Sequence, residues 1–511
     1  MKNRSWKTLL TWLLCIALCV CTTGAVAEPA PMEITVAIWN ADEAFSASDD
    51  VLQAIQDKLG IKIIPQNMTW DDYAQKAQLW ASSDSLPDVF IGDIRTTGTY
   101  SQWADQGVIH AIPEDLSAYP TLSAYLEGQA AQDAKIRGVL YCLPRQTYPS
   151  QEWTTADRMI VYRWDLAQKA GVTKEPETWQ EFSDMIKAII AADPDGTGIA
   201  GMTSTGNGLL VGMFMPYASS IDVMAAEGLG FKWVDDNGTY KPAYFVKDTK
   251  AALQLARDMY TDGVIESDIA LTNNQAANDK FLQGKSAAIL VSGGFGGTYE
   301  TIGRYWQEVH GSDYLDDVRV IGPMPNVDGE LAYPIWDYAW SETYISAKVS
   351  DEKLDKILQL WDYLLTDEGG FLTTYGPEGV LYDMVDGKVV MKDENVLASD
   401  VYPSITALNY LARWNPSSYD DRYVASCPAA YNDVTIALVN KVANVPIPEY
   451  NQDCTNVLMT MDVDFSIKMN DDFMVIMTGE DPVDQMWAEL VKDYEYDGLN
   501  EVIEAVNAAM K

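Results

Sequence analysis

Aromatic rings and planar polar side chains recur together along this 511-residue sequence. Trp39 stands beside Asn40 and Asp42, Asp93 beside Arg95, and Arg145 ahead of Tyr148 and Trp153. Further on, Trp336, Tyr338 and Trp340 crowd the carboxylate of Asp337, and Arg413 with Trp414 precedes Asn415 and Pro416. An indole offers a broad apolar face with one polar N–H, which suits a partly wet cleft, while Asp, Asn and Arg supply planar hydrogen-bonding groups. A polyhydroxylated ligand, with C–H faces and a rim of hydroxyls, needs that combination. Each tryptophan also has packing as an alternative role: the Trp336–Trp340 cluster reads equally as the edge of a core, and Arg413–Trp414 as a surface loop. Of sixteen tryptophans, Trp6 and Trp12 lie within the first 27 residues, and the remaining fourteen are more than core packing usually recruits.

Covalent chemistry finds less support. His110 and His310 are the only histidines, too few for a site needing several imidazoles. No G-x-S-x-G elbow, H-E-x-x-H helix, phosphate loop or dinucleotide fingerprint occurs. With 75 Asp plus Glu, chance carboxylate pairs are guaranteed, so acid abundance does not argue for glycoside hydrolysis. A non-enzymatic binding protein is expected, with a secreted carbohydrate-active enzyme as the rival class. Against those acids stand 35 Lys plus Arg; the net charge of −40 repels nucleic-acid backbones and anionic lipids. Asp193, Asp195 and Thr197 alternate with Pro194, Gly196 and Gly198 as in calcium loops. The twelfth position, Ser204, carries no carboxylate, so a helix-ending turn is the plainer reading, and structural calcium stays a candidate.

The elements that would position these residues are legible in part. Lys2, Arg4 and Lys7 precede an apolar run from Leu9 to Val20 and a small-residue exit ending at Ala27. That pattern reads as a secretory signal peptide spanning residues 1–27, too short for the roughly 30 Å of a membrane core. A lipoprotein signal acylated on Cys19 or Cys21 is the alternative, although Leu18 and Val20 are bulky where such signals carry small residues. Removal of the leader takes three cations and no acid, leaving a still more acidic chain with an odd set of cysteines, Cys142, Cys427 and Cys454. These are expected as buried thiols rather than a disulfide framework; a Cys427–Cys454 bridge has no support beyond arithmetic.

Ile34, Val36 and Ile38 alternate with small or polar residues as in a strand, and Asp49 caps a helix stripe of Leu52, Ile55 and Leu59 before Gly60. Ile61–Ile64 reads as a second strand stopped by Pro65. Thr69 and Asp72 form a capping box ahead of a further helix, and residues 88–91 form a third strand. Such alternation predicts a parallel α/β sheet with its ligand crevice beyond the strands' carboxyl ends, where Trp39 and Arg95 fall. Helices are expected over 165–170, 178–192 and 351–365, and from Asn500, with a buried strand over 287–291 turning at Ser292-Gly293-Gly294 toward Phe295. No short repeat or low-complexity linker separates the units, which are therefore interwoven.

Five stretches together resemble the extracellular solute-binding proteins of ABC importers, family 1, the maltose- and oligosaccharide-binding group: LPDVFIGD (86–93), GVLYCLP (138–144), MIVYRWDLAQKAGVTKEPETWQEF (159–182), FLQGKSAAILVSGG (281–294) and YLLTDEGGFLTTYGPEG (363–379). The resemblance implies an α/β, two-lobed periplasmic-binding-protein-like (type II) fold with hinge strands and a C-terminal helical extension. Lobe one would take residues 32–145 and 293–345, lobe two 146–292 and 346–511. Hinges would lie near 143–146, 291–294 and 345. It further implies a monomer that captures a carbohydrate, a neutral oligosaccharide, by closure, and hands it to a membrane permease. It requires no cofactor and stands exported, with or without a lipid anchor. A peptide or other small solute is the rival ligand.

Overall fold

The structure is a computed structural model describing residues 30–511, apart from 47, 71, 207, 219–230, 247, 336, 338, 414, 415, 419, 426, 462 and 464. The leader and the expected site residues Trp336, Tyr338 and Trp414 lie outside the described residues. No described helix is long and apolar enough to cross a membrane.

Two sheets organise the chain. The first has the order β2 (Ile61–Met68), β1 (Met32–Trp39), β3 (Val89–Gly92), β11 (Ala339–Ile345) and β4 (Leu143–Gln146). β1 runs parallel to β2 and β3, while β11 is antiparallel to β3 and β4. Local chemistry sets these elements as the sequence implies: Asp49 accepts from the Leu52 amide, and Gly60, in the left-handed region at φ 65°, ends the Asp50–Leu59 helix. Asp72 reaches back to the Thr69 amide at 2.8 Å ahead of the Tyr73–Ser82 helix. The expected stop at Pro65 is corrected. β2 continues to Met68 with Pro65 opposite Val36, because an edge strand tolerates a residue with no N–H to donate.

The second sheet has the order β10 (Val318–Val320), β5 (Arg158–Arg163), β9 (Ser286–Ser292) and β6 (Ala200–Ser204). Alternate residues enter different cores: Ile160, Tyr162, Ala288 and Leu290 on one face, Met159, Val161, Ile289 and Val291 on the other. Both faces are therefore covered, which is why these strands read as continuous apolar runs. Two small hairpins complete the strands, β7 (Trp233–Asp236) with β8 (Thr239–Pro242), and β12 (Tyr382–Val385) with β13 (Lys388–Met391).

The cores divide the chain differently from the expected lobes. Of 293–345, only β11 joins the first sheet; β10 pairs with β5, and Phe295, Ile302, Trp306 and Tyr314 pack on the second sheet. Conversely, Ile357, Leu358, Trp361 and Leu365 of the Asp351–Leu365 helix, with Ile405, Leu408 and Leu411 of the Ser404–Ala412 helix, pack on Ile34 and Val36 in the first lobe. The Ala429–Val442 helix returns to the second lobe, and the helices from Gln452 to Ala509 extend its core. An apolar stripe announces that a helix packs without naming the sheet it packs on. The three cysteines are free and buried among these cores.

Candidate functional site

Because β4 and β1 both run opposite to β11 or parallel to β3, the carboxyl ends of β1 to β4 and the start of β11 share one edge of the first sheet. Trp39 ends β1, Trp70 follows β2, Arg95 follows β3, Arg145 lies in β4, and Asp337 and Trp340 sit at the start of β11. Backbone direction alone thus gathers residues from Trp39 to Trp340, 301 positions apart in sequence, onto one rim.

At that rim three indoles meet. Trp39, 2% exposed, stacks on Trp70 at 4.3 Å between ring centres and lies nearly parallel to Trp340 at 5.6 Å. Tyr73 and Tyr410 close on Trp39 edge-on at 5.5 and 5.4 Å. Trp70 remains 44% exposed and forms the open face of the cluster. The buried N–H of Trp39 has no hydrogen-bond partner among the described residues. Beneath the rings, the Arg145 guanidinium lies 4.9 Å from Trp340 and 4.7 Å from Tyr410, and donates to Ser341 Oγ at 3.1 and 2.8 Å. Burial pulls the Arg145 pKa down to about 10. Ser341 adopts φ 62° where the β11–β4 register shifts, a bulge that re-aims the start of β11 toward the rim.

Beside the rings is a charge network. Arg95 donates to Asp337 at 2.9 Å and to Glu342 at 3.2 Å, and Lys232, from the second lobe, reaches the other Asp337 oxygen at 2.7 Å. Burial opposes charge on Asp337, but Lys232 and Arg95 outweigh it and hold the carboxyl well below its ordinary range. Lys232 is correspondingly raised, since Asp337 more than offsets the cost of burial. Glu342 is dominated by burial, with Arg95 opposing and Asp93 adding, and is pushed up to about 7. Asp93 is raised by burial against Arg95, with Asp337 adding to the rise.

The structure brings Trp39, Asp93, Arg95, Arg145, Asp337 and Trp340 together. Asn40, left-handed at φ 54°, and exposed Asp42 border the same rim through the turn after β1, the Asp42 amide donating to Asn67 Oδ1 at 3.3 Å. Other expected residues are placed differently. Phe295 is buried against Tyr314 and Tyr431 at 5.6 and 5.5 Å in the second-lobe core, because the glycine turn leads into a packed helix instead of an open loop. Trp153 packs on that same core and Tyr148 on its neighbour, both in the chain segment passing from β4 to β5. Arg413 faces the β12–β13 satellite, stacking on Tyr423 at 5.4 Å. Sequence reading missed Trp70, Lys232, Tyr410 and Gln452. Only Trp70 carried a signal, an indole two residues past the end of β2 that the expected stop at Pro65 concealed; the others lie in segments whose lobe the sequence does not reveal.

The residues of the Asp193 loop do not fit a calcium ion. Asp193 Oδ1 and Oδ2 accept the Thr197 and Gly198 amides at 3.0 and 3.1 Å, Asp195 pairs with Lys169 at 3.0 Å, and Thr197 Oγ1 donates to the Gly284 carbonyl. The oxygens are committed to closing the helix-ending turn, and Asp193 itself is the left-handed C-cap. Among the described residues no group of three or more His, Cys, Asp or Glu is arranged to hold a metal ion.

The family model for bacterial extracellular solute-binding proteins matches residues 43–371. Lipoprotein LipO of Bacillus subtilis is 23% identical over 360 residues, covering 69% of this chain and 68% of its own. The polygalacturonan/rhamnogalacturonan-binding protein YtcQ, also of Bacillus subtilis, is 22% identical over 343 residues, covering 64% of this chain and 63% of its own. Among solved structures, the S. pneumoniae ABC-transporter substrate-binding protein FusA in complex with kestose superposes with a TM-score of 0.69 at 16% identity, covering 94% of this chain and 98% of that one. The two-lobed fold expected above is thereby shared.

Proposed function

Because the chain belongs to the bacterial extracellular solute-binding proteins, we propose that it captures a neutral carbohydrate at the tryptophan rim and delivers it unaltered to the membrane permease of an ABC importer. The half-exposed Trp70, backed by Trp39 and Trp340, carries this reading: it offers a rigid flat face at the switch edge of the sheet, the surface a sugar ring's C–H groups cover. The relatives that bind polygalacturonan/rhamnogalacturonan and kestose support a glycan over a peptide. Charge favours a neutral glycan over a polyuronate, because Arg95 and Lys232 both discharge into Asp337. A micromolar ligand supplies roughly 8 kcal/mol, ample to bias a hinge equilibrium of a few kcal/mol. The similarity to LipO supports an exported protein held at the cell envelope; a single two-lobed chain suffices for this reading, so a monomer is proposed.

The test is a thermal-shift screen of the purified protein against neutral fructo-, manno- and gluco-oligosaccharides and against oligogalacturonides, with reducing ends assayed in parallel. Saturable stabilisation by a neutral glycan without new reducing ends is expected. Stabilisation by oligogalacturonides alone overturns the neutral assignment, and steady release of reducing ends overturns the receptor.

A further inference from the structure

Asp337 stands among residues that a ligand could meet, yet both its oxygens are already taken, one by each lobe. Arg95 leaves the first sheet three residues after β3, whereas Lys232 precedes Trp233 in the core of the second lobe. Asp337 lies between them on the segment that passes from β10 back to β11. Lys232 is fixed further by Gln452 at 3.1 Å, on the Gln452–Met459 helix of the second lobe, and by the Tyr450 ring at 5.1 Å. Arg95 and Lys232 are both at least nine-tenths buried. Around them, Asp133 and Lys135 of the first lobe and Gln452 and Asn456 of the second line one small polar cavity, so the lobes meet at this place.

We propose that Asp337 and Lys232 are positioning residues: an interlobe ionic latch that biases the hinge equilibrium toward closure before sugar binds, without touching the sugar. Opening the cleft parts Arg95 from Lys232, so Asp337, whose neighbour Ile335 packs with Val234 of the second lobe, must give up one of its two partners. A buried pair that loses one partner is strongly disfavoured until water reaches both charges, so the latch resists the first part of opening and then releases. Glu342 shares Arg95, which keeps the first-lobe end of the latch fixed to β11 as the lobes part.

The inference rests on the hinge-closure reading of the function, and a ligand-free measurement separates the two. Leu79→Cys and Leu271→Cys place spin labels on exposed positions of the first and second lobes, and the native cysteines are buried. Pulsed electron–electron resonance then reads the interlobe distance in the full chain without sugar. The wild-type background is expected to show a short-distance population; Lys232→Met should lower the ratio of short to long distances at least tenfold, and Lys232→Arg should stay within twofold of wild type. Should Lys232→Met fail to fold, Asp337→Asn gives the same reading from the other end. Unchanged distances in Lys232→Met, an equal opening in Lys232→Arg, or a wild type with no short-distance population each overturns the latch while leaving glycan binding to the thermal-shift screen.

Discussion

Removing the Trp70 indole tests the rim most directly, because Trp70 is the member of the cluster that remains open to solvent. A tryptophan side chain presents on the order of 250 Å², and with 44% still exposed roughly 110 Å² is available to a ligand at about 25 cal/mol per Å². A sugar lying on one face covers about half to all of that area, worth about 1.4 to 2.8 kcal/mol, or roughly ten- to a hundredfold in Kd. Trp70→Ala should therefore weaken the glycan found in the screen by that factor, and Trp70→Phe, which keeps a smaller ring on Trp39, by an intermediate one. Isothermal titration of both variants reads the effect, with circular dichroism confirming the fold. An affinity within twofold of wild type for Trp70→Ala would place the sugar elsewhere and refute the rim as its platform.

Acidity gives a second expectation. Glu342 has a folded pKa of about 7 against an ordinary value of 4.5, so the folded state holds its proton longer than the unfolded state does. Stability from this group is full below pH 4.5 and lost as pH rises toward 7, on the order of 3 kcal/mol; Glu342→Gln should flatten that part of a denaturation series, and an unchanged slope would contradict the assignment. Asp337 acts oppositely: its depressed pKa gives stability above the ordinary carboxylate range that is lost as pH falls through it, which Asp337→Asn should abolish in acid melts. At the Asp193 turn, Asp193→Ala should cost about 1 kcal/mol or more of stability in urea by orphaning the Thr197 and Gly198 amides. Millimolar calcium should leave the wild-type Tm in place; a calcium-dependent rise in Tm absent from Asp193→Ala would show an ion there.

The sequence by itself determined the elements that local chemistry writes: β1 from its alternation, the helix ends at Asp49, Thr178 and Gly60 from their caps, and the buried strand β9 from its unbroken apolar run. It also determined that Trp39 and Arg95 stand at strand ends on one edge, because parallel crossovers send every such end the same way. Only the tertiary structure decided which lobe each later helix joined, since an apolar stripe is satisfied by either core; hence the expected divisions at 293 and 346 shifted. It alone decided that Trp70 and Tyr410 complete the ring cluster and that Phe295 leaves it. The pairing of Asp337 with Arg95 and Lys232, 242 and 105 positions away, follows from how two separately folded cores meet. No local pattern carries that meeting, because the energy that fixes it arises only when both charged groups leave water together.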